Sequence, residues 1–129
     1  MAKLILIVDD DPSIVMTVQF LMKQQGYNVL TAERGEDALD FIYRYKPDLL
    51  VLDIMLPGID GYEVCEIVKL NPDYAEIKIV LLTAKGRETE MAKGLALGAD
   101  AYFVKPYSNA ELVAKVRELL HNSPEKMEE

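Results

Sequence analysis

Four short apolar runs in this sequence each end in a residue that can do chemistry. Leu4–Val8 leads into Asp9 and Asp10, Asp48–Leu52 into Asp53, Ile77–Leu82 into Thr83, and Ala101–Val104 into Lys105. Gathered in one hollow, three carboxylates repel one another at low effective dielectric, which raises at least one pKa unless a cation intervenes. An oxygen-only set suits a hard cation. Mg2+, which keeps several waters and takes few protein carboxylates, fits best. One carboxylate can then attack a phosphoryl group to give an acyl phosphate, while the other two hold the metal. The Thr83 hydroxyl can donate to a phosphoryl oxygen, and the Lys105 ammonium can pair with another as a point charge. Such chemistry is mostly positioning and electrostatics.

The elements that must bring these ends together alternate along the chain. Leu4–Val8 is a continuous apolar run of the kind found in strands buried on both faces. Pro12 suits a first helical turn, Ile14, Val15, Val18, Leu21 and Met22 follow at helical spacing, and Gly26 supplies a stop. Tyr27–Ala32 is a more polar strand, as expected at a sheet edge. Gly35–Tyr45 carries Ala38, Leu39 and Ile42 on one face, and Pro47 closes it. After the strand Asp48–Leu52 comes a turn-rich segment with Pro57, Gly58, Asp60 and Gly61. A helix over Tyr62–Leu70 then buries Val64, Cys65 and Val68. The strand Ile77–Leu82 precedes a helix over Glu88–Leu97 that stops at Gly98. The last strand, Ala101–Val104, precedes a helix that runs to His121, with Ser108 and Glu111 at capping-box spacing.

This alternation predicts an α/β fold, a three-layer sandwich with a parallel sheet, right-handed crossovers and five helices spread over both faces. Alternation alone admits several strand orders. The flavodoxin-like order 2-1-3-4-5 makes the four chemically armed strands neighbours and puts a ligand site at their carboxyl ends, by the switch in strand order.

Length and composition set outer bounds. The chain has 129 residues, half of them hydrophobic, which suits one domain with a real core. Its formal charge of −8 gives no basic footprint for nucleic acid. Cys65 is the single cysteine, so no internal disulfide can form, and it is expected as a half-buried helix residue. The apolar run after Met1-Ala2-Lys3 is too short for a signal sequence or a membrane span, which points to the cytoplasm. Residues 122–129 are polar, with Pro124 and three glutamates, and are expected as a disordered tail or linker stub after a domain over residues 1–121.

Four segments now carry a resemblance: LILIVDDDP, PDLLVLDIMLPGIDGYE, IVLLTAK and GADAYFVKPY. Over about residues 3 to 121 the chain resembles the receiver domains of two-component response regulators, the CheY-like superfamily. The resemblance implies a phosphorelay phosphoprotein with Asp53 as phosphoacceptor, supplied by a sensor histidine kinase or a phosphotransfer protein. It implies that Asp10 and Asp53 bind Mg2+ directly, that Asp9 acts through coordinated water, and that the backbone carbonyl of Met55 is a further ligand. It implies that Thr83 and Lys105 bind the phosphoryl group, and that Thr83 and Tyr102 move to signal to a downstream effector protein or fused effector domain. It also implies a cis Lys105–Pro106 peptide. Such a domain is not an enzyme beyond its own phosphorylation and dephosphorylation, does not itself bind nucleic acid or membrane, and can dimerise on phosphorylation. In the family's geometry, Met55 and Lys85 flank the path of a hydrolytic water.

Departures are small. Asp11 lengthens the acidic cluster and reads as a helix N-terminal charge. Ala101 stands where many DNA-binding members carry a second acid, which weakens the case for their mode of dimerisation. Taken singly, Asp9-Asp10-Asp11-Pro12 could be a helix cap, Asp53 a turn residue, and Tyr102 a packed aromatic. Met16, Met22, Met55 and Met91 need no reading beyond packing. One rival function is a haloacid-dehalogenase-type phosphatase with Asp9 as nucleophile, but Ser13 is out of pattern there, no acidic pair follows Lys105, and no cap insertion is present. A flavin-binding module would want a hydroxyl-rich phosphate loop where the three acids stand. A pseudo-receiver would lack part of a set that is complete here.

Overall fold

A computed structural model describes residues 2–84 and 88–121. The elements run β1 (Leu4–Val8), α1 (Pro12–Gln24), β2 (Asn28–Ala32), α2 (Gly35–Tyr45), β3 (Leu49–Asp53), α3 (Gly61–Leu70), β4 (Lys78–Thr83), α4 (Glu88–Ala96), β5 (Ala101–Val104) and α5 (Asn109–His121). The five strands form one parallel sheet in the order β2-β1-β3-β4-β5, which is the flavodoxin-like order.

Burial explains the composition of the strands. Every residue of β3 is buried, because the strand is central and covered on both faces. The edge strand β2 is half open, and its sequence NVLTA is correspondingly mixed. Side chains alternate across each strand, so the sheet feeds two cores. On one face Ile5, Ile7, Leu49, Val51, Val80 and Leu82 meet Val18 and Met22 of α1 and Leu112, Val116 and Leu120 of α5. On the other, Leu6, Val8, Leu50, Leu52, Ile79 and Leu81 meet Ala38 and Ile42 of α2 and Val64, Cys65 and Val68 of α3. Helix α4 lies on this second face, close enough at Gly94 for an added Cβ to come within 2.7 Å of Leu81 Cδ1. Each fully buried Leu or Ile contributes on the order of 2 kcal/mol by leaving water.

The helix starts follow the sequence signals. Pro12 opens α1, and the Asp11 carboxylate accepts from the Ser13 N–H at 3.0 Å. Asp60 caps α3 by accepting from the Glu63 N–H at 2.9 Å, and the Ser108 hydroxyl accepts from Glu111 N–H at 3.2 Å. Lys46 ends α2 in the left-handed region, with φ 47°, just before Pro47. The Lys105–Pro106 peptide is cis, as the resemblance implies.

At the end of the sheet away from the carboxyl termini of the strands, Lys69 acts as a clamp. Its ammonium donates to the carbonyls of Ala75 and Ile77 at 3.2 and 2.7 Å and pairs with Asp100 at 3.3 Å. Asp100 in turn accepts from the Ile79 N–H at 2.8 Å, tying α3 to the starts of β4 and β5.

Some expectations need adjusting. Cys65 is fully buried, not half-buried, and its thiol points at the Leu97 carbonyl, 3.7 Å away. Met22 packs in the core, but Met16 and Met55 are exposed. Strand β3 includes Asp53, and α4 ends at Ala96, one residue early. The tail 122–129 lies outside the described residues.

Candidate functional site

The sheet's register brings the polar ends together. Val8 pairs with Leu52, which sets Asp9 beside Asp53. Asp53 pairs with Leu82, and the Ile54 N–H continues the ladder to the Leu82 carbonyl at 3.0 Å. Thr83 pairs with Val104, and the Lys105 N–H donates to the Thr83 carbonyl at 2.7 Å. Four adjacent strands thus deliver Asp9, Asp10, Asp53, Thr83 and Lys105 to one hollow.

The three carboxylates converge closely. One oxygen from each of Asp9, Asp10 and Asp53 lies within 4.8 Å of the others. Asp9 and Asp53 are buried and Asp10 is exposed, so the cluster opens to solvent on the Asp10 side. Thr83 is fully buried beside them. The Lys105 ammonium reaches Asp9 at 3.2 Å and Asp53 at 3.7 Å. Main-chain donors hold the acids in place: the Asp11 N–H donates to Asp9 at 2.9 Å and the Met55 N–H to Asp53 at 3.3 Å.

The close packing around Asp53 depends on Gly61. A Cβ there would come within 2.5 Å of the Asp53 carbonyl oxygen and 2.7 Å of the Ile54 Cα, both backbone. Any side chain at this position would push the start of α3 off the acceptor loop.

Electrostatics mark Asp53 as the unusual acid. Burial raises its pKa first and the Asp9 charge raises it further, to about 6, against the pull of the Lys105 ammonium and the Met55 N–H. A carboxylate strained this way gains from a nearby cation. The Asp9, Asp10 and Asp53 oxygens supply an all-oxygen set with a solvent-facing side, the donor chemistry that Mg2+ accepts while keeping waters.

The structure brings Asp9, Asp10, Asp53 and Lys105 into one cluster and sets Thr83 at the end of the neighbouring strand. Tyr102 lies in β5, three residues before Lys105, half-buried against the core. The exposed Met55 side chain stands at the mouth, two residues past Asp53. Lys85 lies outside the described residues. Tyr107 was not anticipated: burial first, then the Asp9 charge, raises its phenol above the ordinary value. Only its place just after the Lys105-Pro106 pair could have signalled it.

The model for the response regulator receiver domain matches residues 5–117. The chain belongs to that family. It is similar to a response regulator from Chloroflexus aurantiacus, at 38% identity and a TM-score of 0.88, over 93% of this chain and 98% of that one. The BeF3-activated N-terminal receiver domain of Klebsiella pneumoniae RstA shares 34% identity, with a TM-score of 0.84 over 92% and 98% of the two chains. A CheY-like receiver domain protein from Methanospirillum hungatei shares 31% identity, with a TM-score of 0.87 over 98% and 99%. This receiver domain is therefore a signalling domain of a two-component system. Among the described residues, no helix is long and apolar enough to cross a membrane.

Proposed function

We propose that this receiver domain takes a phosphoryl group onto Asp53 from the phosphohistidine of a sensor histidine kinase or phosphotransfer protein, in a Mg2+-dependent reaction in the cytoplasm. The observation that carries the reading is the Asp53 carboxylate itself. It is buried, pushed up to about 6, and set among Asp9, Asp10 and an ammonium 3.7 Å away.

An Asp53 oxygen attacks phosphorus, the P–N bond of the donor breaks, and the imidazole leaves as the acyl phosphate forms. Lys105 exchanges its carboxylate partners for a phosphoryl oxygen, and the Thr83 hydroxyl donates to another. Asp10 and Asp53 would hold Mg2+ directly, Asp9 through water, and the Met55 carbonyl would complete the protein's share. When bound, the ion neutralises charge on the transferring oxygens.

Thr83 and Tyr102 then change position together and alter the surface of α4, β5 and α5, which a downstream effector protein or fused effector domain reads. The unit that does this is residues 1–121. It catalyses only its own phosphorylation and dephosphorylation, and a phosphorylation-dependent dimer is one form its output can take.

The test is incubation with Mg2+ and acetyl phosphate, followed by mapping of the adduct by mass spectrometry. One base-labile phosphoryl group on Asp53, lost in Asp53→Ala, is the expected result. A stoichiometric adduct on Asp9 would overturn the assignment in favour of phosphatase-like chemistry.

A further inference from the structure

Tyr62 is nearly buried at the second position of α3, and the phosphoryl chemistry makes no use of it. Its hydroxyl donates to the Glu90 carboxylate at 2.8 Å and to the Glu90 carbonyl at 3.1 Å. The Lys93 ammonium lies 4.4 Å from the centre of the same ring. Glu90 and Lys93 are three residues apart on α4, so both reach one phenol from one helix face. Burial, the Glu90 hydrogen bond and the neighbouring Tyr102 phenol all push the Tyr62 hydroxyl above its ordinary pKa, so it stays a donor.

Tyr102, whose phenol lies beside that of Tyr62, packs against the same helix. A Cβ on Gly94 would come within 3.3 Å of its ring at Cδ2. Gly94 lies one turn after Glu90. Helix α4 is thus held at two successive turns, by a tyrosine of α3 and by the tyrosine of β5 that carries the expected switch.

We propose that Tyr62 is a positioning residue of the switch: its hydrogen bond to Glu90 latches α4 to α3 and must open for α4 to respond when Asp53 is phosphorylated. The inference rests on the reading of Asp53 as the acceptor. The direction follows from Lys105, whose ammonium lies on the Asp9 and Asp53 carboxylates, an arrangement that precedes phosphoryl transfer. A contact made in that arrangement and opened in the phosphorylated one favours the first, so removing it shifts the unphosphorylated protein toward the conformation that phosphorylation favours.

The experiment compares the parent with Tyr62→Phe and Glu90→Gln in Mg2+ buffer. Acetyl phosphate and mass spectrometry first establish whether the parent is modified on Asp53. Beryllofluoride is then titrated while the amide resonances of α4 are followed. Tyr62→Phe should half-saturate at about three- to tenfold less beryllofluoride, the range that one hydrogen bond supports. Its α4 resonances should also start part-way toward their saturated positions. Glu90→Gln keeps an acceptor oxygen and should titrate like the parent. A Tyr62→Phe protein that is less stable but titrates like the parent would overturn the latch, because loss of packing alone does not move the switch. A parent with no adduct on Asp53 would overturn the underlying function instead.

Discussion

Lys105 lies nearer to Asp9 than to Asp53, at 3.2 Å against 3.7 Å. One ammonium therefore serves two buried carboxylates, with a third, Asp10, in the same cluster. Negative charge remains in excess, and burial first, then the Asp9 charge, raises the pKa of Asp53. The fold tolerates this strain because the charges are drawn together by strand ends that the two cores fix in place.

That strain gives a pH dependence with a definite sign. Native Asp53 keeps its proton up to about pH 6, against an ordinary value of 3.8. Between those values the native state binds more protons than the unfolded chain, so stability falls as pH rises through this window and stays lower above it. Asp53→Asn removes the effect. In metal-free buffer at pH 7 the variant should exceed the parent by on the order of 2–3 kcal/mol. The gap should close toward pH 4. Urea midpoints at a series of pH values check this, and a gap independent of pH would refute it.

Metal should relieve the same strain. Mg2+ in EDTA-treated protein is expected to raise the melting temperature, and at a hundredfold excess over Kd the gain is about 2.7 kcal/mol by mass action. Asp10→Asn should keep the fold, lose most of that gain, and lose Mg2+-dependent phosphorylation with it. An Asp10→Asn protein that Mg2+ stabilises as much as the parent would remove Asp10 from the ligand set.

The sequence makes the site residues legible because each sits at the end of an apolar run, and a parallel sheet turns run ends into neighbours. Element boundaries are less legible because a strand stops where its partner stops. Asp53 belongs to β3 because it pairs with Leu82, and Tyr27 falls outside β2 because its N–H donates to the Met22 carbonyl at the end of α1. Contacts between distant segments have no local signal at all. Tyr62 and Glu90 are 28 residues apart, and neither residue type announces the pair. Cys65 is fully buried because Leu97 comes over it, and helical periodicity alone gives only its face.

The Lys69 clamp separates stability from function. Lys69→Met keeps the aliphatic stem but leaves Asp100 without its cation and two carbonyls without their donor. The pair is largely shielded, with side-chain exposures of 16% and 24%, so the cost should reach about 2 kcal/mol. The loss should appear as a lower urea midpoint with an unchanged slope. Phosphorylation of Asp53 by acetyl phosphate should persist, since the clamp lies at the other end of the sheet. Loss of phosphorylation in a folded Lys69→Met protein would contradict that separation.

The lifetime of the acyl phosphate should depend on Met55. Hydrolysis needs a water in line with phosphorus and a group that orients it. The Met55 backbone is tied to the acceptor by its N–H, 3.3 Å from Asp53, while its side chain is 54% exposed at the mouth of the site. A thioether is at best a weak acceptor, so it can shield the phosphorus without holding a water proton. An asparagine there offers a carbonyl acceptor and two donors at similar reach. Met55→Asn should therefore lose its phosphoryl group faster than the parent in Mg2+ buffer, by roughly tenfold where orientation is the limiting factor. The side chain is exposed, so the melting temperature should barely move. Decay of purified phosphoprotein, followed by intact mass, gives the rate directly. Equal or slower decay in Met55→Asn would show that this side chain does not govern access of water, and the assignment of Asp53 would stand unaffected.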